Sequence, residues 1–218
     1  MTHSTIRADN LDFYRKMELQ KFHELAQLTG FDTLPDLQVI FPDLVDTQSI
    51  AELGAGYGRC VLGLLEMGYA GEIFAVDRIP HLLQLIEEQT THPPVSPIQQ
   101  DIRDLQLPTA VDAVLWLWSG ILEQTPEDQM LCLHRIYSQL HPQGKAYIDA
   151  PRDQIKYVGK KIDRKYIRVE TEWGTLEGYM PYPEDMARMS EAAGFSSLEQ
   201  RPYSSATGLE REMYILTK

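Results

Sequence analysis

The segment Ala51-Glu52-Leu53-Gly54-Ala55-Gly56-Tyr57-Gly58 constrains this chain more than any other. Residues 49–53 are short and apolar, which predicts a strand. Glycines follow at once, and residues 61–67 resume with helical periodicity. A strand running into a glycine-rich turn and then a helix is a ligand-cradling unit, because glycine reaches positive φ and lets a ligand approach the backbone. The alternation continues. Residues 72–76, 95–100, 111–117 and 144–150 read as strands, and 80–89 and 126 to about 140 as helices. Residues 111–117 are apolar apart from Asp112, as a strand buried on both faces should nearly be, whereas Pro97 weakens the strand at 95–100. Strands alternating with helices imply right-handed crossovers and a mainly parallel sheet.

The glycine spacing narrows the ligand. A nicotinamide-dinucleotide fingerprint, Gly-x-Gly-x-x-Gly, would place its last glycine where Arg59 stands. Here the glycines recur at every second residue, and Glu52 stands two places before the first. A diphosphate calls for amide donors and a helix dipole; a carboxylate beside the turn suits a cationic ligand instead.

Glu52-x-Gly54-x-Gly56-x-Gly58 resembles the first motif of the class I S-adenosylmethionine-dependent methyltransferases. Val76-Asp77 resembles that family's second signature, Gln100-Asp101-Ile102 the segment after its third strand, and Asp112-Ala113-Val114-Leu115 its fourth strand. The likeness covers about residues 49–150 well and extends loosely to the end of the chain. It implies an α/β fold with a Rossmann-like seven-stranded, mostly parallel sheet, helices on both faces and an antiparallel last strand. It implies S-adenosyl-L-methionine as cofactor, with Glu52, Gly54, Gly56, Gly58, Asp77, Arg78, Asp101, Ile102 and Leu117 in its site. By the same resemblance Asp77 takes both ribose hydroxyls, Asp101 meets the adenine amino group, and Asp112 is structural.

A single domain is expected over residues 1–218. It divides into a helical cap (1–45), a cofactor-binding core (49–150), a hairpin insertion (151–182) and the end of the sheet (183–218). The cap contains an amphipathic helix at 11–28, stopped by Gly30, and a short helix at 35–44. The insertion reads as a hairpin over 165–179 with Gly174 near its turn. A helix at 184–193 ends at Gly194, and residues 195–200 and 212–217 close the chain as strands. By the family likeness the first helix and the hairpin cover the acceptor pocket as a lid, with Tyr14, Arg15, Tyr166, Trp173 and Tyr182 as residues able to face the acceptor.

Ligands of such sheets lie beyond the carboxyl ends of the strands. Trp116-Leu117-Trp118-Ser119-Gly120 lies at such an exit, and the family resemblance implies that it is near the methionine part of the cofactor; Trp116, Trp118, Tyr14 and Glu123 are the candidate acceptor contacts. Methyl transfer needs a base only when the acceptor must lose a proton. Glu123, His141, Asp149 and Tyr157 are the candidates, His134 a weaker one, and each also reads as a surface or positioning residue, so no base is assigned. Arg59 reads as a surface charge opening its helix.

Twenty Lys and Arg against thirty-two Asp and Glu give a formal charge of −12. Nucleic-acid binding needs clustered cations, and the one basic run, 156–168, is interrupted by Asp163. A small-molecule acceptor is therefore expected. A protein or nucleic-acid acceptor, a non-catalytic cofactor-binding role and a nucleotide-dependent oxidoreductase are the rivals. Cys60 and Cys132 have no metal or redox spacing and read as buried free thiols, and no residue cluster has metal-ligand spacing. The longest strongly apolar run, 113–118, is too short for a membrane span, and the polar start has no signal-peptide pattern, so the cytoplasm is the expected compartment.

Overall fold

The computed structural model of the chain describes residues 3–90, 95–152, 160–161, 166–171 and 174–218. Strand β1 (Ser49–Leu53) is buried at all five residues and pairs in parallel with β2 (Glu72–Asp77) on one side and β4 (Val111–Trp116) on the other. Outward from β2 lies β3 (Val95–Gln99). Outward from β4 lie β5 (Leu140–Pro151) and the last two strands, β9 (Ser197–Ser204) and β10 (Glu210–Thr217). The sheet has seven strands in the order β3-β2-β1-β4-β5-β10-β9, and β10 runs antiparallel to both its neighbours. The expected Rossmann-like architecture is present. The chain leaves β1 in one direction and returns on its other side as β4, so the carboxyl ends of β1 and β4 flank the crevice where such sheets bind ligands.

Side-chain alternation explains the helices on both faces. Ile50, Ile73, Ala75, Ala113 and Leu115 turn to α3 (Pro35–Leu44), α4 (Arg59–Glu66) and α5 (Pro80–Gln89). Ala51, Leu53, Phe74, Val76 and Val114 turn to α6 (Pro126–Gln139) and α7 (Pro183–Ala193). Each fully buried large side chain contributes about 1.5–3 kcal/mol by leaving water.

The cap departs from expectation. The single helix at 11–28 is two: α1 (His3–Lys16) and α2 (Leu19–Thr29), separated by extended backbone at Glu18 (φ −71°, ψ 150°). The break lets Phe13, Met17 and Phe22 enter one cluster with Tyr57, Ile79 and Leu82, which a continuous helix would spread around its circumference. Gly30 closes α2 in the left-handed region, φ 72°. β5 starts at Leu140 rather than 144, because a register shift between Val111 and Ala113 and a left-handed Gln143 (φ 67°) absorb the extra residues.

The insertion is a three-stranded sheet, not a bare hairpin. β7 (Tyr166–Thr171) pairs with β8 (Gly174–Tyr179), and β6 (Lys160–Lys161) pairs with β7. Lys165, Trp173 and Tyr157, all named above, lie outside the described residues. Helix α1 is joined to this sheet by Asn10, whose Nδ2 donates to the Glu177 carbonyl (2.8 Å) and whose Oδ1 accepts from the Glu177 N–H (2.9 Å). Cys60 and Cys132 are buried free thiols. Among the described residues no helix is long and apolar enough to cross a membrane, and no group of His, Cys, Asp and Glu is placed to hold a metal.

Candidate functional site

The glycine turn is fastened to the end of β2. The Gly54 and Ala55 N–H groups both donate to the Val76 carbonyl, at 2.8 and 3.0 Å, and Gly56 N–H donates to Asp77 Oδ2 at 2.8 Å. Gly54 (φ 71°) and Gly56 (φ 55°) lie in the left-handed region, and a Cβ on Gly54 would meet nothing within 4 Å. Their role is conformational: the turn presents bare backbone to an open face. Gly58 differs. A Cβ there would lie 2.9 Å from Ile86 Cγ1, so this glycine allows α5 to approach α4.

Asp77 ends β2. Its second oxygen accepts from the Ile79 N–H at 2.9 Å, so it also ties down the turn leading into α5. Burial raises its pKa, opposed by the two backbone N–H bonds. An ionised carboxylate offers about four lone-pair sites; these two bonds leave capacity for more donors.

Glu52 lies on β1 two residues before the turn, 4% exposed, and its Oε2 is buried without a hydrogen-bond partner. Burial pushes its pKa up to about 8, with Arg59 pulling the other way. A neighbouring cation would relieve that burial cost and favour the carboxylate.

Arg59 is not a surface charge. Its guanidinium forks onto Asp36, with Nη1 to Oδ1 at 3.0 Å and Nη2 to Oδ2 at 2.5 Å, and also donates to the Phe31 carbonyl at 3.2 Å. It sits 5.5 Å from the Phe31 ring centre and 5.2 Å from that of Trp118. The pair is buried on both sides, so the sequence expectation failed because its partner lies 23 residues earlier. Arg59 Nε is buried and unpartnered, like Glu52 Oε2.

Beyond β3, Asp101 accepts from Arg103 through Nε (2.8 Å), Nη2 (2.5 Å) and the backbone N–H (3.0 Å), and Arg78 Nη1 lies 3.6 Å away. These cations hold its carboxyl below the usual range against the opposing effect of burial. Ile102, partly buried, opens the short turn Ile102–Asp104.

At the exit of β4 the two tryptophans part company. Trp116 is 1% exposed and belongs to the core on the α6 side, so it is no pocket wall. Leu117 is buried on the other face. Trp118 joins the cap cluster, and it and Ser119 have φ of 50° and 66°. Strained backbone of this kind persists where the surroundings over-determine it. Asp149 supplies the determinant: Oδ1 accepts from the Ser119 N–H (2.8 Å), and Oδ2 accepts from Tyr203 Oη (2.6 Å) and Arg211 Nε (2.9 Å). Asp149 is thus a buried, fully engaged anchor rather than a base.

His141 is exposed at the start of β5, the end of the sheet opposite the crevice, and His134 is exposed on α6. Arg15 is exposed beside Asp12, and Tyr182 is buried at the start of α7. Tyr166 packs on Tyr179 within the insertion, ring centres 5.2 Å apart. Glu123 is different: the Tyr14 hydroxyl, from α1, donates to its Oε1. Burial raises the Glu123 pKa to about 7, against the opposing pull of Tyr14 and Arg78, with Asp77 raising it further. Of the proposed acceptor contacts, the fold brings Tyr14 and Glu123 together, keeps Trp118 on the cap side and removes Trp116. Sequence reasoning missed Asp36, Arg103, Tyr203 and Arg211. Only Arg103 stood close enough to its partner to be suspected.

Residues 50–144 match the family model described as "Methyltransferase domain". This matched segment runs from β1 into the start of β5, the part of the sheet that carries the glycine turn and Asp77. A curated relative, O-methyltransferase 3 of Dictyostelium discoideum, is 26% identical over 88% of the chain and 49% of the relative. The chain therefore spans about half the length of that relative. Three solved structures share the chain's fold. The 1,6-didemethyltoxoflavin-N1-methyltransferase of Burkholderia thailandensis has TM-score 0.67 at 17% identity, covering 99% of this chain and 88% of that one. A sugar N-methyltransferase of a Streptoalloteichus species has TM-score 0.68 at 15%, covering 92% and 93%. An amino pentose methyltransferase of Micromonospora echinaspora has TM-score 0.63 at 14%, covering 92% and 97%. S-adenosylmethionine suits the donor set of this site: an unpartnered buried carboxylate oxygen, an open glycine turn and an acid at the end of β2.

Proposed function

We propose that this chain transfers the methyl group of S-adenosylmethionine to a small molecule. One observation carries the reading. Glu52, on β1 two residues before a glycine turn whose outer face is open and whose geometry Asp77 sets, is buried with an unpartnered oxygen. Glu52 would hold the ammonium of the cofactor, with Gly54, Gly56 and Gly58 shaping its bed. Asp77 would accept the ribose hydroxyls with its remaining lone pairs. Arg78, Asp101, Ile102 and Leu117 would border the adenine and methionine parts. The bound cofactor supplies a methyl carbon already activated by its sulfonium. What remains for the chain is to align the acceptor and exclude water. Helices α1 and α2 and strand β8 stand over the turn, with Phe22 5.5 Å from Tyr57 of the turn itself.

The acidic balance, the aromatic cover and the small-molecule acceptors in the names of the structural relatives all support a small acceptor. Incubation with methyl-labelled S-adenosylmethionine and a fractionated cell extract tests this. Label is expected in the low-molecular-mass fraction; label confined to protein or nucleic acid would contradict it.

A further inference from the structure

The Tyr14–Glu123 contact joins α1 of the cap to the turn after β4. Glu123 lies on the short helical turn Gly120–Glu123 after β4, so its backbone is held by the strained Trp118-Ser119 corner. Among the described residues its carboxylate receives one donor, the Tyr14 hydroxyl. The groups acting on it are Asp77 and Arg78 from the end of β2, and Tyr14 from α1. Arg78 is drawn toward Asp101, 3.6 Å away. From β8, Gly178 lies against this turn, where a Cβ would be 2.9 Å from the Leu122 carbonyl, and the charged side chain beside it, Glu177, pairs with Arg168. Among the described residues the rim therefore holds two carboxylates, Asp77 and Glu123, against one cation, Arg78, that is already shared with Asp101. Aromatic side chains flank it: the Tyr14 ring stacks on Phe22 at 6.1 Å and meets Phe13 edge-on at 5.2 Å.

We propose that Glu123 is the proton acceptor for an organic ammonium substrate, and that Tyr14 holds its carboxylate until that substrate arrives. This rests on the methyltransferase reading above. The ammonium R–NH3+ gives one proton to the Glu123 carboxylate. The freed nitrogen lone pair forms the N–CH3 bond, and the S–CH3 bond breaks with its electrons staying on sulfur. The products are the methylated ammonium, S-adenosylhomocysteine and protonated Glu123, so charge balances. The carboxyl, poised near neutrality by its burial, suits this exchange. It is far too weak a base to ionise an aliphatic hydroxyl. A neutral phenol gains nothing from the two rim carboxylates, and a phenolate is repelled by them.

Titration calorimetry on the full chain saturated with S-adenosylhomocysteine tests the assignment without turnover. The probes are arylalkyl amines from benzylamine to tryptamine, each beside the alcohol and the phenol nearest to it in skeleton. Amines should bind at least tenfold more tightly than their partners, and more tightly as pH rises through about 7. Glu123→Gln should abolish that preference while keeping affinity for S-adenosylhomocysteine. Tyr14→Phe should retain the preference and move its pH midpoint upward, because a donor to the carboxylate is lost. Alcohols or phenols binding as tightly as amines, no amine binding, or an unchanged preference in Glu123→Gln would overturn the proposal. Failure of wild-type protein to bind S-adenosylhomocysteine would instead overturn the methyltransferase reading.

Discussion

The Gly56 N–H donates to Asp77 Oδ2 over 2.8 Å, so the carboxylate at the end of β2 sets the height of the glycine turn after β1. This places an acid and bare backbone side by side on the crevice. Gly56→Ala introduces a Cβ with no neighbour closer than 3.9 Å but forces alanine to φ 55°. The expected stability loss is about 1–2 kcal/mol, with a greater than tenfold loss of cofactor affinity as the methyl group enters the bed. Thermal unfolding and calorimetry on the same preparation separate the two effects.

Arg59 and Asp36 give a sharper stability test. Breaking a buried ion pair by removing one partner strands the other charge, which costs about 3–5 kcal/mol. Arg59→Ala should therefore lower the urea midpoint severely. A change within about 0.5 kcal/mol, usual for a surface charge, would contradict the geometry in which both side chains are buried.

Glu52 makes stability depend on pH with a definite sign. Its folded pKa, about 8, lies above the ordinary carboxylate value, so the folded chain binds more protons than the unfolded chain between those limits. Stability is fully present below the unfolded pKa, near 4.5, and is lost as pH rises through about 8. Glu123 adds the same trend up to about 7. Urea titrations from pH 5 to 8.5 should show falling stability, and Glu52→Gln should flatten the upper part of that decline. Wild-type stability that rises across this window would contradict the burial argument.

The lid reading now has a specific joint. Asn10 pairs both its amide groups with the backbone of Glu177, so α1 and β8 should move together. Asn10→Ala leaves a buried N–H and carbonyl unpaired, at about 1–3 kcal/mol. Hydrogen exchange should quicken in α1 and β8 and stay unchanged in β1. Binding of S-adenosylhomocysteine to wild type should slow the same segments. Exchange in α1 as slow as in β1, and insensitive to ligand, would show a fixed cap.

The sheet was legible because local patterns determine it. An apolar strand followed by Gly54, Gly56 and Gly58, and an acid at Asp77 after an apolar run, carry their meaning within a few residues. The seven-stranded sheet and its antiparallel last strand came through family likeness, whereas the strand order is read from the structure. What was hidden depends on partners distant in sequence. Arg59 looks like any helix-opening cation until Asp36 is folded beneath it, and Asp149 like any strand-end acid until Arg211 and Tyr203 arrive from 62 and 54 residues away. Trp116 and Trp118 look alike in sequence, yet strand alternation buries the first and the left-handed corner turns the second toward the cap. The split of the first helix was equally invisible, since the apolar spacing of 11–28 nearly fits one continuous helix.

Calorimetric titration with S-adenosylhomocysteine, set beside NAD and repeated on Asp77→Ala and Asp101→Ala, tests the central claim most directly. The account predicts one site for S-adenosylhomocysteine and none for NAD. It predicts a loss beyond tenfold for Asp77→Ala, since about 1.5–3 kcal/mol attends each hydrogen bond to a charged group. A smaller loss is predicted for Asp101→Ala, whose oxygens Arg103 already occupies. Binding of NAD without S-adenosylhomocysteine, or an unchanged affinity in a folded Asp77→Ala protein, would contradict it.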